Sequence, residues 1–91
     1  MYPTDRAPTP PGEILRDEFL QPMAMTQVEA ARRMGMSLNR LNEVIHGRRG
    51  VSADTALRLV RLLNTSPEFW MNLQMANDLY QASRVFERTG A

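Results

Sequence analysis

Apolar residues recur along this chain at helical spacing in five runs, each bounded by residues that start or stop helices. Ile14, Leu15 and Phe19 share one face of the first run. Thr9 or Pro10 opens it, because proline is tolerated in a first turn, and Pro22 ends it. Val28, Ala31 and Met34 line up in the second run, and Leu41, Val44 and Ile45 in the third. Ser52 caps a fourth helix with Asp54 near its positive end; Ala56, Leu59, Val60 and Leu63 form its inner stripe, and Asn64 closes it. Ser66-Pro67-Glu68 supplies cap, first-position proline and first-turn acid for a last helix running to about Arg88. Phe69, Trp70, Leu73, Ala76, Leu79, Tyr80 and Phe86 give that helix apolar surface on more than one face. The surplus beyond Leu79 either folds back over the first helix or meets a partner. The expected fold is an all-α, five-helix single domain over 10–88 with a longer C-terminal helix, preceded by an arm over 1–9.

The most specific pattern lies in the helix pair 26–47. Thr26 and Glu29 fit a capping box, in which the threonine oxygen accepts from a backbone N–H and the glutamate reaches back. Gly35 supplies the left-handed backbone of a sharp turn, and small Ala31 suits a close helix crossing. Ser37 caps the second helix of the pair. Asn39, Asn42, Glu43 and His46 then fall on the face opposite its apolar stripe. A steep helix pair with one polar outer face is a helix-turn-helix, whose second helix enters the DNA major groove.

Charge adds to this picture through its placement. The net charge of the 91 residues is only +1. Residues 27–61, however, hold seven arginines against three acids, whereas residues 1–26 hold two arginines against four acids. Positive charge therefore gathers around the helix pair, where phosphates would lie. All eleven basic residues are arginine, the side chain suited to bidentate phosphate and guanine contacts. There is no cysteine, hence no disulfide or thiolate metal site, which fits a cytoplasmic protein. No apolar run reaches membrane-span length, so no membrane role is expected. The chain lacks a nucleophile–base set, a glycine-rich phosphate loop and any ligand cluster of metal spacing. The expectation is a non-enzyme with no cofactor.

Contacts follow from donor and acceptor chemistry. Asn39 and Asn42 can each bridge adenine N6 and N7. Ser37 and Leu38 begin the recognition helix and project deepest, with Leu38 either meeting a thymine methyl or packing on the fourth helix. Arg40 can reach guanine or a flanking phosphate; Glu43 either accepts from cytosine N4 or orients Arg40 or Asn39. Thr26 and Gln27, at the positive start of the first helix of the pair, and Arg48 and Arg49, just past the second, are the expected phosphate contacts, although Arg49 can instead tie its loop to the fourth helix. Adjacent Arg32 and Arg33 cannot face the same way, and His46 reads as a capping or phosphate group.

Segments 11–23 (PGEILRDEFLQPM), 40–59 (RLNEVIHGRRGVSADTALRL) and 65–79 (TSPEFWMNLQMANDL) resemble the HigA antitoxins, a short branch of the lambda-repressor-like helix-turn-helix regulators. The resemblance spans about residues 10–80, and Leu38 departs from the proline or small residue common in the family at that position. It implies a homodimer that binds double-stranded operator DNA in its own promoter, represses transcription and neutralises a cognate HigB-type toxin that cleaves messenger RNA. It also implies a phosphate contact at Gln27. The acidic first helix, with Glu13, Asp17 and Glu18, suits a basic toxin electrostatically. The alternative is a stand-alone transcription regulator with no toxin partner.

Overall fold

The computed structural model describes residues 6–90, so most of the expected arm lies outside the described residues. Among them the chain is entirely helical: α1 (Pro11–Ile14) running on as a π-helical segment (Leu15–Leu20), α2 (Gln27–Met34), α3 (Leu38–Ile45), α4 (Ala53–Leu62) and α5 (Pro67–Thr89). The five expected helices are present. The π-helical stretch was not anticipated. Its wider turn is visible in the bond from the Gln21 N–H back to the Arg16 carbonyl, 3.0 Å, and it leaves both Leu15 and Leu20 buried.

The caps follow the chemistry of their side chains. Ser37, Ser52 and Ser66 each accept a bond from the backbone N–H three residues on, at Arg40, Thr55 and Phe69. Pro11 and Pro67 occupy first turns, where a missing N–H leaves no helical bond unmade.

The core gathers Leu15 and Leu20, Ala30, Ala31 and Met34, Leu41, Val44 and Ile45, and Val51, Ala56, Leu59, Leu63 and Trp70. Two expected inner positions differ. Val60 is only partly covered, and Val28 is 62% exposed. α2 is rotated so that the small pair Ala30–Ala31 meets its neighbours, which carries Val28 to the outer surface. Thr55 replaces an apolar residue in the stripe of α4 and is fully covered.

Two close contacts fix the frame. Gly12 lies against the C-terminal end of α3, where a Cβ would stand 2.2 Å from the Val44 carbonyl oxygen. Trp70 is wholly buried and donates from Nε1 to Thr65 Oγ1 at 2.8 Å. Phe19 and Phe69 pack about it, with ring centroids 5.5 and 5.0 Å from the indole, joining the π-helical segment to the start of α5. The C-terminal half of α5 does not fold back over α1, and Val85 and Phe86 remain 48% and 57% exposed.

Candidate nucleic-acid interface

The α2–turn–α3 unit is fixed from within and from behind. Thr26 Oγ1 accepts from the Glu29 N–H at 3.1 Å, but only this half of the expected capping box forms. The Glu29 carboxylate turns instead to Arg32, 2.6 Å away, and that bond holds it below the usual carboxylate range. Gly35 closes α2 at φ 69°, the left-handed conformation expected of it. The Arg58 guanidinium then donates to the Met34 and Gly35 carbonyls at 3.0 and 2.9 Å, satisfying acceptors that the helix end leaves open. No spacing rule pointed to this grip; only the Asp54–Arg58 pair, four apart on one helix, was legible.

On the outer side, Thr26, Gln27, Val28, Leu38, Asn39 and Asn42 line an open depression between the start of α2 and the first turns of α3. Ser37, Leu38 and Asn39 are exposed. Leu38, 44% exposed, lines this depression together with Val28 and lies outside the hydrophobic core. The lining thus offers three amides, a hydroxyl and two aliphatic side chains within one open patch.

Three residues expected to read bases are engaged within the chain. Arg40 turns away from the depression and donates to Asp54 Oδ2 at 2.9 Å and Thr55 Oγ1 at 3.1 Å, tying α3 to α4. Its position, one residue off the outer face, aims the guanidinium sideways at the start of the next helix. Glu43 orients neither Arg40 nor Asn39; it accepts from Arg49 Nε at 2.9 Å. Arg49 correspondingly ties its loop to α3 and not to α4. Asn42 is half-buried, donates from Nδ2 to Gln27 Oε1 and accepts at Oδ1 from Arg48, both at 3.2 Å. Each partner lies six or more residues away in sequence, so none follows from helical periodicity.

The three acids of the basic region each hold at least one arginine. Asp54 holds both Arg58 and Arg40, and those two bonds, Arg58's first, lower its pKa. Of the seven arginines in that region, Arg33, Arg48 and Arg61 pair with no carboxylate among the described residues. Of these, Arg48 lies at the depression through its bond to Asn42. His46 sits at the C-cap of α3 with Nδ1 2.9 Å from the Asn42 carbonyl oxygen, the capping place expected of it.

On the first helix Glu13, Asp17 and Glu18 are all exposed. Arg16 bonds Asp17 at 2.7 Å and lowers its pKa, which leaves Glu13 and Glu18 as the uncompensated part of the acidic surface among the described residues. The sequence missed one further contact. Gln74 on α5 accepts from the Val51 N–H at 2.7 Å and anchors the basic loop from below. No helix of the described residues is long and apolar enough to cross a membrane.

The helix-turn-helix family matches residues 18–70. Virulence-associated protein I of Dichelobacter nodosus is 45% identical over 74 residues, covering 81% of this chain and 68% of that protein. Antitoxin HigA-1 of Vibrio cholerae is 39% identical over 88 residues, 96% of this chain and 82% of that one. The Pseudomonas aeruginosa antitoxin HigA, solved with the higBA promoter, superposes with a TM-score of 0.85 at 41% identity, covering 90% of this chain and 89% of that one. With a helix-turn-helix match over more than half its length and these relatives across most of it, the chain belongs to the HigA-type antitoxins of the helix-turn-helix family.

Proposed function

We propose that this chain is a DNA-binding antitoxin that occupies the operator of its own operon and neutralises a cognate HigB-type toxin. The observation that carries the DNA half is the exposed start of α3, where Ser37, Leu38 and Asn39 stand beside the positive N-terminal end of α2. In this reading Asn39 bridges an adenine edge and Leu38 meets a thymine methyl. Thr26, Gln27 and Arg48 hold the phosphates on either side. The Pseudomonas relative solved with its promoter supports the same use of the fold. Repression then needs no chemistry, only occlusion of the promoter.

Two copies would place two recognition helices on successive half-sites about 34 Å apart, or a multiple of that. The exposed apolar tail of α5 supports a second copy as its partner. For the toxin, the exposed carboxylates Glu13 and Glu18 offer a surface complementary to a basic nuclease.

The test is a gel shift on the duplex upstream of the gene. Asn39→Ala should weaken specific binding by about 1–3 kcal/mol while binding to an unrelated duplex stays put. An unchanged preference for the upstream duplex would remove Asn39 from the reading. Co-expression with the adjacent reading frame tests the other half. A basic nuclease co-purifying, with growth rescued, supports the antitoxin; no complex would leave a stand-alone regulator.

A further inference from the structure

We infer that Asn42 is a positioning residue that sets which end of the Gln27 amide faces a phosphate, and is not itself a reader of bases. The inference deepens the operator-binding reading above and rests on it. It comes from the direction of one hydrogen-bond chain. Arg48 Nη2 bonds Asn42 Oδ1, and Asn42 Nδ2 bonds Gln27 Oε1, each at 3.2 Å.

Arginine is a donor only, so the atom it meets on Asn42 must be the oxygen. The nitrogen of Asn42 then points at Gln27, and a nitrogen that donates must meet the Gln27 oxygen. The Gln27 –NH2 is thereby turned away from Asn42, beside the Thr26 and Val28 rim of the open depression. A phosphate accepts and never donates, so this is the only orientation of Gln27 that welcomes one at the start of α2. Polarity is thus passed from a fixed cation through a half-buried amide to an amide at the surface. Asn42 has one N–H and one lone pair engaged in this chain, so the half-buried amide is held between Gln27 and Arg48 and is not free to turn toward an adenine edge.

Substitution with aspartate makes the consequence visible. In Asn42→Asp the new carboxylate keeps the acceptor for Arg48 but faces Gln27 with a second acceptor. Gln27 must then reverse to donate inward, and its carbonyl oxygen meets the phosphate. Gln27→Ala should therefore weaken binding in the wild-type background and leave it unchanged or improve it in the Asn42→Asp background. A base reader, or a residue important only for folding, predicts no such reversal.

The experiment measures affinity for the upstream duplex and for an unrelated duplex of equal length, using full-length wild type, Q27A, N42A, N42D, Q27A/N42A and Q27A/N42D. Thermal melting of each variant serves as the folding control. Q27A and N42A should each lose about tenfold on both duplexes, the double variant no more than the larger single loss, and the salt slope should hold steady because no charge is removed. Additive losses, or an N42A loss confined to one base pair of the operator, would overturn the relay while leaving operator binding intact. Failure of the wild type to prefer the upstream duplex would overturn the operator reading and the relay with it.

Discussion

Asp54 serves two arginines from different helices, Arg58 on its own helix and Arg40 on α3, at 3.0 and 2.9 Å. Those bonds hold its pKa below the ordinary value in the folded chain. A depressed folded pKa contributes stability that is complete above the unfolded value, about 3.9, and is lost as pH falls through the folded one. Glu29 and Asp17 are shifted the same way by Arg32 and Arg16. Unfolding by urea should therefore show a midpoint that holds steady near neutrality and drops below about pH 4. Asp54→Asn should shrink the drop, and an unaltered acid limb in that variant would mean that Asp54 plays no part. Residue-scale expectations succeeded where a side chain's fate depends on its own position, as for the exposed Asn39 and the capping Ser37. They did not foresee the intrachain bonds of Arg40, Asn42 and Glu43, whose partners lie 15, 15 and 6 residues away in sequence and are chosen by tertiary packing.

Among the elements, α1 is placed by the absence of a side chain. A Cβ on Gly12 would meet the Val44 and Ile45 carbonyl oxygens at 2.2 and 2.6 Å, and both are backbone atoms at the end of the recognition helix. Gly12→Ala should cost about 1–3 kcal/mol, toward the upper limit because backbone must shift, and denaturant titration will register it. An alanine variant as stable as the parent would show that the two helices can slide apart freely. This contact also gives physical content to the proline–glycine–acid opening of the first helix. Helix starts were legible because serine caps and first-turn prolines act locally. The π-helical segment and the rotation of α2 were not, since each answers to neighbours across the core; the capping box half-forms because Glu29 bonds Arg32 on its own helix.

Taken whole, the molecule is elongated, 45 × 22 × 21 Å, because the 23 residues of α5 run about 34 Å as a helix. Its tail presents Val85 and Phe86 to solvent among polar residues, an apolar strip that one copy of the chain leaves uncovered. Replacing both with serine should convert the proposed dimer into a monomer by light scattering, keep the helical circular dichroism, and weaken binding to a duplex bearing two half-sites far more than to one bearing a single half-site. A double variant that stays dimeric would move the interface elsewhere. The surplus of apolar residues beyond Leu79 was readable in the sequence, but its direction, outward and not over α1, required the fold.

The lone indole of this chain sits in the seam that Phe19 and Phe69 close, wholly shielded and on none of the surfaces that line the outer depression. Its emission is therefore an internal gauge of whether the seam is shut. It reports loss of the fold by moving to the red, and it stays quiet when a ligand merely settles on the far side.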